Sequence, residues 1–183
     1  MIMTLAITPT VDDVRTNAVF EELMWGIARP GIERRLPAAG FNAVAESLID
    51  RECSFHAETD RVLSDLITLT GSKPAAIDKA DYVFAPIDAE TGVAALAALK
   101  IGSLSYPDEA ATLFATARFG SGQALRLSGP GVRDTLTIEV DGIHPSFWSM
   151  RAKSLRYPLG WDLFLLDGDR LIGIPRSTKI EVL

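Results

Sequence analysis

Apolar residues between Arg15 and Ala28 fall in two rows, Val19, Leu23 and Ile27 in one and Phe20, Met24 and Ala28 in the other, both at i, i+4, i+8. The spacing predicts an amphipathic helix. Asp12 or Asp13 is placed to cap its start, and Arg29-Pro30-Gly31 stops it, because proline disfavours helical backbone in the residue before it and has no N–H to donate. Asn42 to Asp50 predicts a short helix. A strand over Cys53 to Ala57 leads into a helix over Asp60 to Thr70, with Val62, Leu63, Leu66 and Ile67 on one face and Gly71 at its end. Asp81 to Ala85, stopped by Pro86, has the continuous apolar run of a buried strand, and the alanine-rich stretch Thr91 to Lys100, closed by Gly102, predicts another helix.

The second half is richer in strands. Leu113 to Ala117, Ala124 to Leu127 and Leu136 to Val140 are the candidates, the last with Leu136, Ile138 and Val140 opposite Thr137 and Glu139. Gly120-Ser121-Gly122 is expected as a turn between strands, and Pro145 to Leu155 as a further helix. Near the end, Leu163 to Leu166 and Leu171 to Ile174 flank Asp167-Gly168-Asp169-Arg170, a strong hairpin signal because Gly accepts positive φ. Pro175-Arg176-Ser177-Thr178 then interrupts the sheet before Ile180 and Val182 resume an alternating pattern. Strands alternating with helices early and clustering late predict one α/β domain over residues 1–183, a mixed sheet covered by helices on both faces.

Composition narrows the function. With 18 basic and 24 acidic residues the net charge is −6, which argues against a general nucleic-acid binder. The charge is unevenly spread: 12 basic and 20 acidic residues up to Ile143 give −8, and 6 basic and 4 acidic from His144 onward give +2. A short tail reaches such a split by chance, and it would also suit an anion or an acidic partner near the C-terminal segment. The start MIMTLAIT lacks the basic and long apolar regions of a signal peptide, and no run of about 18 apolar residues suggests a membrane span. The single cysteine, Cys53, allows no internal disulfide, so a reducing, cytoplasmic setting is expected.

Candidate chemistry is sparse. Cys53 and His56 lack the second pair that would close a zinc site, and two histidines, His56 and His144, without a nucleophile elbow give little support to a hydrolase triad. Neither common phosphate-loop motif is present. In Leu125 to Val132, Pro130 and Gly131 fit the central positions of a type II turn and Gly129 leaves room for close approach, so the turn could seat an anion or simply connect strands. Arg126 alternates with Leu125 and Leu127 and should point away from the face they bury. Asp162 could orient a ligand, cap a turn or face water, and Arg176 offers a planar donor fork suited to a carboxylate or phosphate. Trp25, Trp148 and Trp161 are expected as core or interface aromatics.

Six segments in order, FEELMWGIARPG (Phe20 to Gly31), ADYVFAP (Ala80 to Pro86), YPDEAAT (Tyr106 to Thr112), LRLSGPGV (Leu125 to Val132), YPLGWDLFL (Tyr157 to Leu165) and GIPRSTKIEV (Gly173 to Val182), resemble the PhnH family. Its members are subunits of the carbon-phosphorus (C-P) lyase system through which bacteria draw phosphate from phosphonates. The chain departs from the pattern at Trp25-Gly26-Ile27 and at Trp161. The resemblance implies a three-layer α/β/α sandwich similar to the large domain of pyridoxal-phosphate-dependent transferases, without the cofactor site and with no cofactor or metal. None of Lys73, Lys79, Lys100, Lys153 and Lys179 has a setting for a Schiff base. It also implies work within a complex with PhnG, PhnI and PhnJ. With PhnG, PhnI and PhnL, the family serves the synthesis of α-D-ribose 1-phosphonate 5-triphosphate from ATP and a phosphonate, with catalytic groups expected mainly on PhnI. The iron–sulfur chemistry belongs to PhnJ, since this chain has no cysteine cluster. A homodimer is expected for the isolated chain. Arg126, Gly129, Gly131, Asp162, Arg176 and Thr178 are the candidates for ligand or interface contacts, and no catalytic residue stands out. The competing expectations are a stand-alone enzyme on a phosphorylated small molecule, with Arg126 and Arg176 converging, and a pure interaction module with a large apolar patch.

Overall fold

A computed structural model describes residues 8–57 and 59–183; most of the apolar start MIMTLAIT lies outside them. The elements are α1 (Val11–Ala28), β1 (Arg34–Arg35), α2 (Phe41–Leu48), β2 (Ser54–His56), α3 (Arg61–Thr68), β3 (Lys73–Pro74), β4 (Tyr82–Phe84) and α4 (Glu90–Ala95). They continue with β5 (Thr112–Thr116), β6 (Arg118–Ser128), β7 (Leu136–Asp141), α5 (Ser146–Ser154), β8 (Asp162–Asp167), β9 (Arg170–Ile174) and β10 (Lys179–Val182). The helix expected over Thr91 to Lys100 is shorter, because after α4 the chain tightens into a 3-10 turn at Leu96–Ala98. The cap of α1 is Thr10 and not Asp12 or Asp13: its Oγ1 accepts the Asp13 N–H at 3.1 Å, and Asp13 Oδ2 accepts the Thr10 N–H at 2.8 Å. This reciprocal capping box leaves Asp13 inside the first turn.

A seven-stranded mixed sheet runs in the order β1-β9-β8-β5-β4-β2-β3. The stretch from β8 to β3 is parallel, and β9 and β1 add antiparallel at one edge. Period-two alternation divides its side chains between two cores. Val83, Leu113, Ala115, Leu163, Leu165, Ile172 and Ile174 enter one; Phe55, Phe84, Phe114, Phe164, Leu166 and Leu171 enter the other. The second core lies under α1, α2 and α3. There Phe84, Phe114 and Phe164 are register partners on three adjacent parallel strands and stack with centroids 5.1 Å apart at each step. Helix α1 comes close to the sheet where it crosses Gly173: a Cβ built there would lie 2.5 Å from Gly26 C. Gly26 is under no such constraint, since a Cβ on it would meet its nearest neighbour, Phe164 Cε1, at 3.4 Å.

The first core is roofed by α4, α5 and a separate antiparallel sheet, β10-β6-β7. This second sheet corrects two expectations. Ile180 and Val182 do not resume the main sheet; β10 pairs with β6, placing Ile180 opposite Leu127 and Val182 opposite Leu125. Gly120-Ser121-Gly122 is not a turn between strands but an irregularity inside β6, where the register with β7 shifts between Phe119 and Gln123. The helix and sheet layers on the two faces otherwise agree with the expected α/β class.

Between β2 and β4, Asp81 Oδ2 accepts the Ser54 N–H at 2.8 Å and the Ser54 hydroxyl, and Asp81 Oδ1 accepts from Lys100 Nζ. Burial alone would push this carboxyl up, but the bonds from Lys100 and Ser54 outweigh it and hold its pKa below the ordinary aspartate range. A carboxyl depressed in the fold contributes stability above its unfolded pKa of about 4 and loses it as pH falls through the lower folded value. Asp81→Asn is therefore expected to flatten stability against pH below about pH 4. Urea titrations across that range check this; parallel curves for the variant and the parent would contradict it.

Candidate functional site

Helix α5 puts Phe147 and Arg151 one turn apart on its inner face, so the helical period that buries an aromatic also buries a cation. Arg151 is 2% exposed. Its Nη2 donates to the carbonyls of Ile174 and Pro175, both at 3.1 Å, and the guanidinium lies 5.4 Å from the centroid of the fully buried Trp161 ring. Burial pushes its pKa down to about 10, against a smaller upward pull from Asp162. Among the described residues its Nε has no hydrogen-bond partner, and neither do Trp161 Nε1 and Thr178 Oγ1.

Proline at 175 ends β9, and the N–H of Thr178 donates back to the Pro175 carbonyl at 2.9 Å, folding 175–178 into a turn. Asp162 and Arg176 fasten that turn to the start of β8. Asp162 Oδ1 accepts the Arg176 N–H at 2.7 Å and its Nε–H at 3.2 Å, while Oδ2 accepts from Nη2 at 2.7 Å. The remaining arm, Nη1, donates to the Pro107 carbonyl. The donor fork expected of Arg176 thus meets a carboxylate of its own chain. Between α5 and the turn lies a cavity of about 360 Å³ whose wall includes Trp148, Arg151, Tyr157, Arg176, Thr178 and Lys179, and no carboxylate.

Of the six residues the sequence singles out, Asp162, Arg176 and Thr178 gather here. Arg126 is elsewhere, on the outer face of β6, where its Nη1 donates to Glu181 Oε2 at 2.8 Å across the strand pair. Gly129 backs the turn from behind, since a Cβ on it would lie 2.9 Å from the Ser177 carbonyl oxygen. Pro130 and Gly131 do form the expected turn, with φ of 81° at Gly131 and the Val132 N–H donating to the Gly129 carbonyl at 3.1 Å. The space beside Gly131 is taken by the chain itself: its Cβ position is 2.4 Å from the Ala28 carbonyl oxygen, so LRLSGPGV packs against the RPG stop of α1. Arg126 and Arg176 therefore have separate carboxylate partners. Arg151 escaped the sequence reading, although a charged residue four positions after Phe147 on an apolar stripe was the available signal.

Fold and cavity together define an α/β protein with a cavity walled partly by side-chain donors; among the described residues no cluster of His, Cys, Asp and Glu could hold a metal ion, and no helix is long and apolar enough to cross a membrane. The family described as bacterial phosphonate metabolism protein (PhnH) matches residues 10–181, and the chain belongs to it. It is 32% identical over 176 residues to HtxG of Stutzerimonas stutzeri, proposed by its name as a C-P lyase subunit protein, covering 92% of this chain and 87% of the relative. It is 28% identical over 179 residues to the α-D-ribose 1-methylphosphonate 5-triphosphate synthase subunit PhnH of Rhizobium meliloti (strain 1021), covering 90% of both.

Proposed function

We propose that this chain is a subunit of a C-P lyase complex, required with PhnG, PhnI and PhnL to make a ribose 1-phosphonate 5-triphosphate from ATP and a phosphonate, and that it supports the reaction without carrying its bond-making groups. The observation that carries this reading is the family match over nearly the whole domain, with two relatives of similar length whose names state subunits of this chemistry. In this reading the chain is cytoplasmic, forms a homodimer when isolated, and has the frame of the large domain of pyridoxal-phosphate-dependent transferases without their cofactor. Asp162, Arg176 and Thr178 shape the pocket, while Arg126, Gly129 and Gly131 serve a contact face.

Helix α1 supports the subunit role. Its first apolar row buries Val19 and Leu23, but in the second row Phe20 and Met24 are 46% and 53% exposed, with Trp25 at 38% beside them. An apolar row held in water by a well-capped helix suits a subunit partner, here PhnI, PhnG or PhnJ.

Coexpression with PhnG, PhnI and PhnJ followed by size-exclusion chromatography with light scattering tests the reading: stable co-elution is expected, and a chain that stays separate and turns over a phosphorylated substrate alone would replace it with a stand-alone enzyme. The double substitution Phe20→Asp and Met24→Asp is expected to abolish co-elution while moving the melting temperature by only a few degrees, roughly the effect of surface changes. Undiminished co-elution of the double variant would remove α1 from the interface.

A further inference from the structure

A groove at the C-terminal end of α1 joins an apolar wall to two arginines that the fold leaves unanswered. It encloses about 490 Å³ between the α1–β1 connection, which supplies Arg29, Pro30 and Ile32, and the β6–β7 connection, which supplies Val132, Arg133 and Leu136. Each side thus brings one arginine. Among the described residues neither makes an ion pair, and the carboxylates on α1 and before β1 are engaged elsewhere, Glu22 with Arg34 at 2.7 Å and Glu33 with Arg170 at 3.4 Å. The wall itself holds no carboxylate, and Asp134, the residue after Arg133, stays outside it. Arg29 is nonetheless held in place, its guanidinium 5.1 Å from the centroid of the Trp25 ring. The two connections are locked together beneath the groove, since a Cβ on Gly31 would lie 2.5 Å from Leu127 Cδ1 and 2.9 Å from Leu136 Cδ2.

We propose that this groove docks an acidic, apolar-bearing segment of a partner subunit, its carboxylates meeting Arg29 and Arg133 and its apolar side chains covering Ile32, Val132 and Leu136. The inference rests on the subunit reading and adds the chemistry of the partner's surface. Continuity is the first argument. The exposed row Phe20, Met24 and Ala28 on α1 runs into the groove, because Ala28 stands in its wall, and Ile32 carries the apolar surface onward at 43% exposure. Charge is the second. In a chain of net charge −6, two unpaired cations with no carboxylate beside them attract an acidic segment that the rest of the surface repels, which sets where and in what register it lands. A small anion alone would leave the apolar wall in water, whereas a polypeptide covers wall and row together. Trp25 with Arg29 stacked on it is the aromatic and arginine pairing that interface centres favour, and the locked base keeps the ordering cost of docking low.

Biolayer interferometry of the purified full chain against coexpressed PhnG, PhnI and PhnJ tests it. The parent is expected to bind saturably and to weaken as salt rises from about 0.1 M to about 1 M, over which the screening length contracts from about 10 Å to about 3 Å. Arg29→Gln with Arg133→Gln should bind about tenfold more weakly at low salt and lose most of the salt dependence. Arg29→Glu with Arg133→Glu should bind weaker still, by about a hundredfold. The control is Arg61→Glu with Lys79→Glu, the same change of charge at exposed positions on α3 and before β4, and it should stay within about twofold of the parent. All of these sites are exposed, so each variant should melt close to the parent. A glutamine pair that keeps the parent's affinity and salt dependence, or a control that loses as much as the glutamate pair, overturns the proposal. So does light scattering in which the glutamate pair splits a dimer of the isolated chain and leaves partner binding intact, since the occupant is then a second copy. Failure of the parent to bind removes the subunit reading, and this inference with it; binding by the parent and the glutamine pair alike removes the groove alone.

Discussion

Replacing Gly173 with alanine is expected to lower the unfolding free energy by about 3 kcal/mol, at the upper end of overpacking effects. The new methyl group would lie 2.5 Å from Gly26 C, 2.6 Å from Gly26 O and 3.0 Å from Ile27 N, all backbone atoms of α1. No side-chain rotation relieves such contacts. Gly173 is not at positive φ, so its own conformation accepts alanine, and within a strand the exchange would otherwise be neutral or mildly favourable. The loss comes from lifting α1 away from the sheet, which loosens Val19 and Leu23 over the phenylalanine stack. Gly168→Ala is the matching control: it has φ of 64° and open space around it, so it carries only the cost of a left-handed residue, about 1 kcal/mol. Urea unfolding of both variants separates the effects; a Gly173→Ala midpoint no lower than the control's would show that the helix can yield.

Arg176→Ala is expected to cost about 3 kcal/mol, the lower end for breaking one side of a buried ion pair. The side chains of Arg176 and Asp162 are 16% and 22% exposed, so solvent screens them weakly. The substitution removes two side-chain bonds to Asp162 and the one to the Pro107 carbonyl, leaving a carboxylate held only by the Arg176 N–H. Lysine at 176 should not rescue, because one ammonium cannot span both oxygens of Asp162 and the Pro107 carbonyl. Adding Asp162→Asn to Arg176→Ala should recover part of the loss by removing the stranded charge. Thermal and urea unfolding of the single and double variants give the coupling; additive losses would mean that the clasp contributes little.

The parts legible in the sequence are those decided locally. The two rows on α1, the Asp-Gly hairpin between β8 and β9, and the Pro130-Gly131 turn each rest on a few neighbouring residues, and all form. The capping box was legible too, since Thr10-Val11-Asp12-Asp13 carries the Ser/Thr-x-x-acid pattern. By contrast, nothing local in Lys179 to Val182 says which strand it will pair with, and its partner β6 lies about fifty residues earlier. The same limit hides the site. Arg176 and Asp162 looked like free functional groups because their sequence neighbours do not reveal that they bind each other, and Arg151 becomes conspicuous only once the Pro175 turn is seen to enclose it.

The insertion of two strands of the second sheet, β6 and β7, together with α5 between β5 and β8 also fixes an order of events when the chain folds. Phe114 and Phe164 pair across the centre of the main sheet, yet β6, β7 and α5 lie between them in the chain. Closing a loop of that length carries an entropic cost before any parallel contact returns stability, whereas the β6–β7 and β8–β9 hairpins join at short range. The hairpins should therefore form early and the central β5–β8 seam late, which gives the topology the millisecond-to-second folding times of chains dominated by distant pairings. Until that seam closes, the edges of β5 and β8 are open to strands from other chains, so crowding during synthesis, more than native stability, should limit the yield of folded protein.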